Sequence, residues 1–178
     1  MAVRIYGNRQ IKTLPGESTR PTSSKVREAL FNVWQGRVRG ARWLDLCAGS
    51  GAMGAEALCR GAAQVVGIEK SAAALRVVQG NWQKVAKAEQ AHAVIKGDVT
   101  KKLSTLGQFF DLIYFDPPYA GGLYLPVLSQ LATVLTIEGE AAIEYDPQHW
   151  QLTQLPESLA LVKEKRYGRT HLAFLKRQ

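Results

Sequence analysis

Four consecutive residues, Asp116-Pro117-Pro118-Tyr119, carry the clearest chemical signal in the chain. Neither proline has an N–H, so the Asp116 carboxylate and the neighbouring carbonyls form a corner rich in hydrogen-bond acceptors. Tyr119 adds a flat ring able to stack on a nucleobase. A planar substrate bearing an exocyclic NH2, with two hydrogens to donate, matches that corner. The run ahead of it, Phe109-Phe110-Asp111-Leu112-Ile113-Tyr114-Phe115, reads as a buried strand. The motif therefore sits at a strand's carboxyl end, where open α/β sheets bind their ligands. Taken alone, the same letters are explained by an ordinary proline turn; a glycine loop upstream argues for chemistry.

That loop, Ala48-Gly49-Ser50-Gly51-Ala52-Met53-Gly54, contains the G-x-G-x-x-G pattern between a predicted strand and a predicted helix, and Glu69 follows about 20 residues on. In isolation this predicts a dinucleotide site, with Glu69 holding a ribose diol. Asp45 lies just ahead of the turn, however, where its carboxylate would repel a pyrophosphate. S-adenosylmethionine has no phosphate; it presents a sulfonium, an ammonium, a ribose and an adenine. Asp45 suits the cationic end, the backbone from Ala48 to Gly51 permits close approach, and Glu69 can accept from the ribose hydroxyls. Asp98, in Gly97-Asp98-Val99, can accept from the adenine amine while the Val99 N–H donates to the ring. Each acid alone could cap a turn or face solvent. Acids at the ends of three successive predicted strands form a pattern.

The elements that position these residues follow from periodicity. Val3-Arg4-Ile5-Tyr6 and Ile11-Lys12-Thr13-Leu14 alternate around Gly7-Asn8 and predict a hairpin. After Arg20-Pro21, Thr22 or Ser23 can cap a helix whose inner face is Val26, Ala29, Leu30 and Val33. Strands are predicted over 42–46, 64–69, 91–96, 109–115 and 140–145, and helices over 53–60, after Ser71, after Thr100 and over 123–135. The segment 159–175 reads as two antiparallel strands meeting near Tyr167-Gly168. Alternating strands and helices predict an α/β fold: a Rossmann-like, doubly wound, mostly parallel seven-stranded sheet with an antiparallel C-terminal strand, preceded by a short hairpin and helix. One domain over 1–178 is expected, with 1–40 a basic N-terminal extension and 41–178 the core.

Composition bounds the partners. The formal net charge is +8 over 178 residues. Residues 1–42 hold nine Lys and Arg against two acids, and residues 163–178 six against one, whereas 43–162 hold eight against twelve. Basic ends around an acidic middle suit a polyanionic partner and a ligand that is not itself strongly anionic. No apolar stretch approaches the roughly 20 residues of a membrane span, and no secretory signal pattern is present. Cys47 and Cys59 lack metal-ligand spacing and are expected reduced, buried and structural in a cytoplasmic protein. No metal is implied. The histidines His92, His149 and His171 show no ligand spacing either.

Arg20-Pro21-Thr22, Val26-Arg27-Glu28-Ala29-Leu30-Phe31-Asn32, Leu44-Asp45-Leu46-Cys47-Ala48-Gly49-Ser50-Gly51 and Asp116-Pro117-Pro118-Tyr119 together resemble the bacterial 16S ribosomal RNA guanine-N2 methyltransferases, within the class of Rossmann-like enzymes that use S-adenosylmethionine. The resemblance spans nearly the whole chain. It implies cofactor roles for Asp45, Gly49, Gly51, Glu69 and Asp98 and a base-binding role for Asp116 through Tyr119. Cys47 stands where a phenylalanine is common, which alters packing and leaves the chemistry intact. The candidate RNA contacts are Arg4, Arg9, Lys12, Arg20 and Thr22, with Arg169 in the turn Tyr167-Gly168-Arg169. The implied partner is 16S ribosomal RNA, within a partly or fully assembled small subunit, with the protein acting as a monomer. Three rivals use the same features: an adenine-N6 methyltransferase, an NAD-dependent oxidoreductase and a non-catalytic RNA-binding module. Asp45 and the Asp-Pro-Pro-Tyr corner count against the oxidoreductase.

Overall fold

The apolar runs assemble into a seven-stranded sheet whose strands lie in the order Ala91–Lys96, Gln64–Glu69, Arg42–Leu46, Phe110–Phe115, Leu135–Tyr145, Thr170–Arg177 and Leu159–Tyr167. In the computed structural model, which describes residues 2–14 and 24–178, these strands are β3 (Arg42–Leu46), β4 (Gln64–Glu69), β5 (Ala91–Lys96), β6 (Phe110–Phe115), β7 (Leu135–Tyr145), β8 (Leu159–Tyr167) and β9 (Thr170–Arg177). A separate antiparallel pair, β1 (Ala2–Ile5) and β2 (Arg9–Lys12), forms the N-terminal hairpin around Tyr6, Gly7 and Asn8. β5, β4, β3, β6 and β7 are mutually parallel, and β9 inserts antiparallel between β7 and β8. The chain winds outward from β3 to β5 and then returns to β6. The β3–β6 boundary is therefore the point where the winding reverses, the position at which such sheets bind ligands.

Two layers of helices cover the sheet. α1 (Ser24–Val33), α2 (Ala52–Cys59) and α3 (Ala72–Val85) share one face with the hairpin, where Trp34, Trp43, Phe31 and Trp82 are fully buried. Phe31 stacks on Trp43 at 5.4 Å, and Trp34 meets both Trp43 and Phe174 edge-on. The opposite face buries Leu44, Leu46, Ile113 and Phe115 under α4 (Val99–Lys102) and α5 (Tyr124–Leu131). Ser71 caps α3 by accepting from the Ala74 N–H, as its sequence position implies.

Two expectations need correction. The helix predicted over 123–135 ends at Leu131, and β7 begins at Leu135 rather than at 140. Thr133, Val134, Thr136 and Ile137 are β-branched and stiff, and the Val134 carbonyl accepts from Phe110 N–H, which draws the segment towards β6. The inner face of α1 is Val26, Arg27, Leu30 and Phe31, while Ala29 and Val33 are only half-buried. The proposed cap at Thr22 or Ser23, together with Arg20, lies outside the described residues.

Arg27 is buried because it is paired. Its Nε lies 2.5 Å from Glu56 of α2 and its guanidinium donates to the Arg4 carbonyl of β1, so one cation joins hairpin, α1 and α2. Glu56 is 3% exposed and also holds Arg60, whose guanidinium lies against the Tyr6 and Phe31 rings. The pair is asymmetric: without Arg27, Glu56 keeps Arg60, but without Glu56, Arg27 is a buried cation lacking its counter-charge. Glu56→Gln should lower unfolding free energy by about 3–5 kcal/mol, and Arg27→Met by distinctly less; urea denaturation of both variants checks the order.

Candidate active site

Residues from four strand ends converge beside the reversal point. Leu46 of β3 pairs with Phe115 of β6, so the loops beginning at Cys47 and Asp116 leave the sheet side by side. Cys47 adopts φ 61°, a left-handed conformation uncommon outside glycine, and starts a turn in which Gly49 and Gly51 also have positive φ. The Ala48 N–H donates to the Ile68 carbonyl, and the Gly51 N–H to that of Ala48. The Cys47 thiol is pushed up first by burial and then by Glu69, Asp116, Asp45 and Asp98. Cys47 and Cys59 are free and half-buried, less enclosed than the sequence implied.

Asp45 is 2% exposed and accepts the Gly54 N–H at 3.0 Å. Gly54 lies in the first turn of α2, where unpaired amides would otherwise attract an anion; a carboxylate from β3 already occupies that position. Burial raises the Asp45 carboxyl to about 8, with the Gly54 bond opposing and Glu69 reinforcing the shift. Glu69, half-buried at the end of β4, accepts from Gly49 N–H at 2.8 Å and Ser71 N–H at 2.7 Å, one on each oxygen. An ionised carboxylate offers about four acceptor sites, which leaves capacity for two further donors. Asp98 caps α4: one oxygen accepts from the Thr100 N–H and hydroxyl, holding its pKa low, while the other lies 3.7 Å from Lys70 Nζ. Ser50 and Val99 are buried, and Ala48 and Gly49 half-buried.

At the end of β6, Asp116 is half-buried, Pro117 buried, Pro118 exposed and Tyr119 half-buried. The Tyr119 hydroxyl lies 3.4 Å from Thr170 Oγ1 of β9, and its ring is inclined 31° to His149 at 5.9 Å. Burial pushes the Tyr119 phenol up to about 12. Sequence reasoning missed Glu144, a buried acid at the end of β7. Tyr114 OH donates to its carboxylate at 2.6 Å, and Tyr124 OH to its backbone carbonyl at 3.1 Å. Burial raises its pKa, and the Tyr114 and Tyr119 hydroxyls oppose the rise. The same strand-end argument applied to Ala142-Ile143-Glu144 could have found it.

The candidate RNA contacts are dispersed. Arg4 and Lys12 are exposed on the hairpin, which packs on α2 and α3. Arg9 donates to the Val85 carbonyl at 3.0 Å, so its guanidinium is engaged at the end of α3 rather than standing clear of the protein. Arg169 is 79% exposed and reaches Asp146 just beyond β7 at 3.3 Å, close in sequence to the Thr170 that touches Tyr119. Among the described residues, no helix is long and apolar enough to cross a membrane.

A family model described as "Conserved hypothetical protein 95" matches residues 3–176. The chain belongs to this family. It is 31% identical over 176 residues to YlbH of Bacillus subtilis, covering 96% of this chain and 94% of that protein. It is 30% identical over 181 residues to the ribosomal RNA small subunit methyltransferase D of Escherichia coli K12, covering 99% and 90%. The solved structure of yhhF from Escherichia coli superposes with a TM-score of 0.84 at 29% identity, covering 100% of this chain and 99% of that one.

The buried Asp45 gives stability a defined pH dependence. Its folded-state pKa, about 8, lies above the ordinary 3.8, so the fold favours the neutral acid. That contribution is complete below the ordinary value and is lost as pH rises through the folded one. Asp45→Asn keeps an oxygen for Gly54 and cannot ionise. The ligand-free variant should therefore gain stability relative to wild type between about pH 4 and pH 8. Thermal melting across that range checks the trend.

Proposed function

We propose that this protein transfers a methyl group from S-adenosylmethionine to the exocyclic N2 amine of a guanine in small-subunit ribosomal RNA, acting as a monomer on a partly or fully assembled particle. The observation that carries the reading is the glycine turn held between two acids beside the Asp116 strand end: Glu69 accepts the Gly49 N–H, Asp45 accepts the Gly54 N–H, and Leu46, ahead of the turn, pairs with Phe115, ahead of Asp116. The names of the relatives supply the substrate class.

The residues fit this cofactor better than a dinucleotide. A pyrophosphate needs the α2 amides that Asp45 already accepts, whereas a sulfonium and an ammonium are favoured by an adjacent buried acid. Glu69 has the acceptor capacity for two ribose hydroxyls, and the Asp98–Val99 step would face the adenine. Bound there, S-adenosylmethionine supplies an electrophilic methyl group.

The chain's own contribution is positioning. The amine of guanine is a weak nucleophile because its lone pair is delocalised into the ring. Acceptance of its two hydrogens by Asp116 and the Pro117 carbonyl favours a pyramidal nitrogen and aims the lone pair along one line. Tyr119 stacks on a base that has left its helix. Once the nitrogen is alkylated its surplus proton is acidic and passes to the Asp116 carboxylate or to water.

Asp116→Ala should bind cofactor nearly normally yet lose about a hundred- to thousandfold in single-turnover rate, the effect of deleting one preorganised transition-state hydrogen bond. The measurement is transfer of a labelled methyl group to small-subunit particles followed by nucleoside analysis. Methylated adenosine in place of N2-methylguanosine would reassign the substrate, and a wild-type rate in Asp116→Ala would remove the motif from the mechanism. Cofactor binding should also release a proton near neutrality, because a cation beside Asp45 lowers a pKa of about 8. Calorimetry in buffers of different ionisation enthalpy reads that proton directly.

A further inference from the structure

Asn81 is 2% exposed on α3 and lies outside the acid cluster, yet every polar hydrogen of its side chain is committed. Its Oδ1 accepts the Lys12 N–H of β2 at 2.9 Å, and its Nδ2 donates to the Lys12 carbonyl and to the Ser50 carbonyl, both at 2.8 Å. A primary amide has two N–H donors and one carbonyl oxygen, so this geometry fixes which end is nitrogen. The next residue continues the pattern: Trp82 Nε1 donates to the Gly51 carbonyl at 2.8 Å. Two successive residues of α3 thus hold two successive carbonyls of the glycine turn, and the first also grips the hairpin.

The hairpin has further attachments to the same helix. Arg9 donates to the Val85 carbonyl, and Lys84 Nζ donates to the Gln10 carbonyl at 2.9 Å. Asn81 alone among these residues also touches the turn. Its side chain is the shortest polar path between the exposed Lys12 and the turn that the proposed function assigns to the cofactor. Aspartate would be isosteric but would set an acceptor against two carbonyls, and leucine would remove the partner of the buried Ser50 carbonyl and of both part-buried Lys12 backbone groups. Asparagine is the side chain of this size that satisfies all three.

We propose that Asn81 is a positioning residue that locks the glycine turn to the basic hairpin, so that RNA bound over the hairpin and cofactor bound in the turn tighten one another. This rests on the reading of the protein as a methyltransferase acting on ribosomal RNA. Linkage makes the effect reciprocal: whatever factor RNA contributes to cofactor affinity, cofactor contributes to RNA affinity. The physical origin is a shared ordering cost, because a ligand that stills one end of the link spares its partner that loss.

The test measures S-adenosylhomocysteine affinity by calorimetry, alone and with saturating small-subunit particles, which present the ribosomal RNA in the form the proposed function requires. Wild type should bind about fivefold or more tightly with RNA present. Asn81→Asp should weaken binding of S-adenosylhomocysteine alone and bring the RNA effect close to none. Lys12→Pro weakens the same link from the hairpin by deleting the N–H that Oδ1 accepts, while the Lys12 carbonyl still accepts from Nδ2, and it should reduce the RNA effect below that of Lys12→Ala, which loses the charge alone. Lys12→Pro carries the test if Asn81→Asp fails to fold. Binding of both ligands to wild type without mutual effect overturns the coupling alone, as does a wild-type RNA effect in Asn81→Asp or Lys12→Pro. Failure of wild type to bind S-adenosylhomocysteine at all overturns the functional reading beneath it.

Discussion

The packing of Trp82 against glycine is the constraint on which the glycine turn and its surroundings depend. A Cβ at Gly54 would come within 2.5 Å of the indole, one at Gly67 within 2.6 Å and one at Gly51 within 2.8 Å. The ring fills the space that three missing side chains leave between α2, α3 and β4, and it is wholly buried. Its Nε1–H holds the Gly51 carbonyl. The spacing that reads as a phosphate-binding fingerprint thus has a different basis here. Gly54 is required for helix–strand packing, and Gly51 both turns the chain and clears the indole. With the ring seated, α2 starts where Asp45 can reach its first turn.

The residues legible in the sequence are those whose roles depend on local periodicity. The bounds of β4 and β5, the Ser71 cap and the placement of the acids at strand ends all follow from apolar runs punctuated by polar residues. The boundary between α5 and β7 does not, because Leu131 to Leu135 is apolar in either state and the decision rests on the pairing of Val134 with Phe110. Asn81 and Glu144 were hidden for a related reason. Each is a single polar residue in a helical or strand pattern, and its meaning comes from partners 31 and 69 residues away for Asn81 and 30 for Glu144. The bond from Arg9 to the Val85 carbonyl, which closes the end of α3, was hidden in the same way, since its partner lies 76 residues away.

The electrostatic design separates two tasks. Exposed Arg and Lys lie on the hairpin and the β8–β9 turn, whereas the acids are gathered at the strand ends. A polyanion is attracted to the periphery and discouraged from the centre, where a cationic ligand is favoured instead. Burial favours the neutral form of Asp45 and so holds part of that central charge back.

β8 is one of the two borders of the sheet, paired among the described residues with β9 alone. Its pairing is interrupted by a register shift between Leu161 and Lys163, with Leu161 and Val162 both substantially exposed. An exposed strand of nine residues bearing such side chains is a template for uncontrolled association. Here the bulge breaks the line of free backbone groups, and Lys163, Lys165 and Arg166 would set like charges together if two molecules met border to border. The irregularity thus protects the protein against polymerising through its own sheet at the concentrations of a crowded cell.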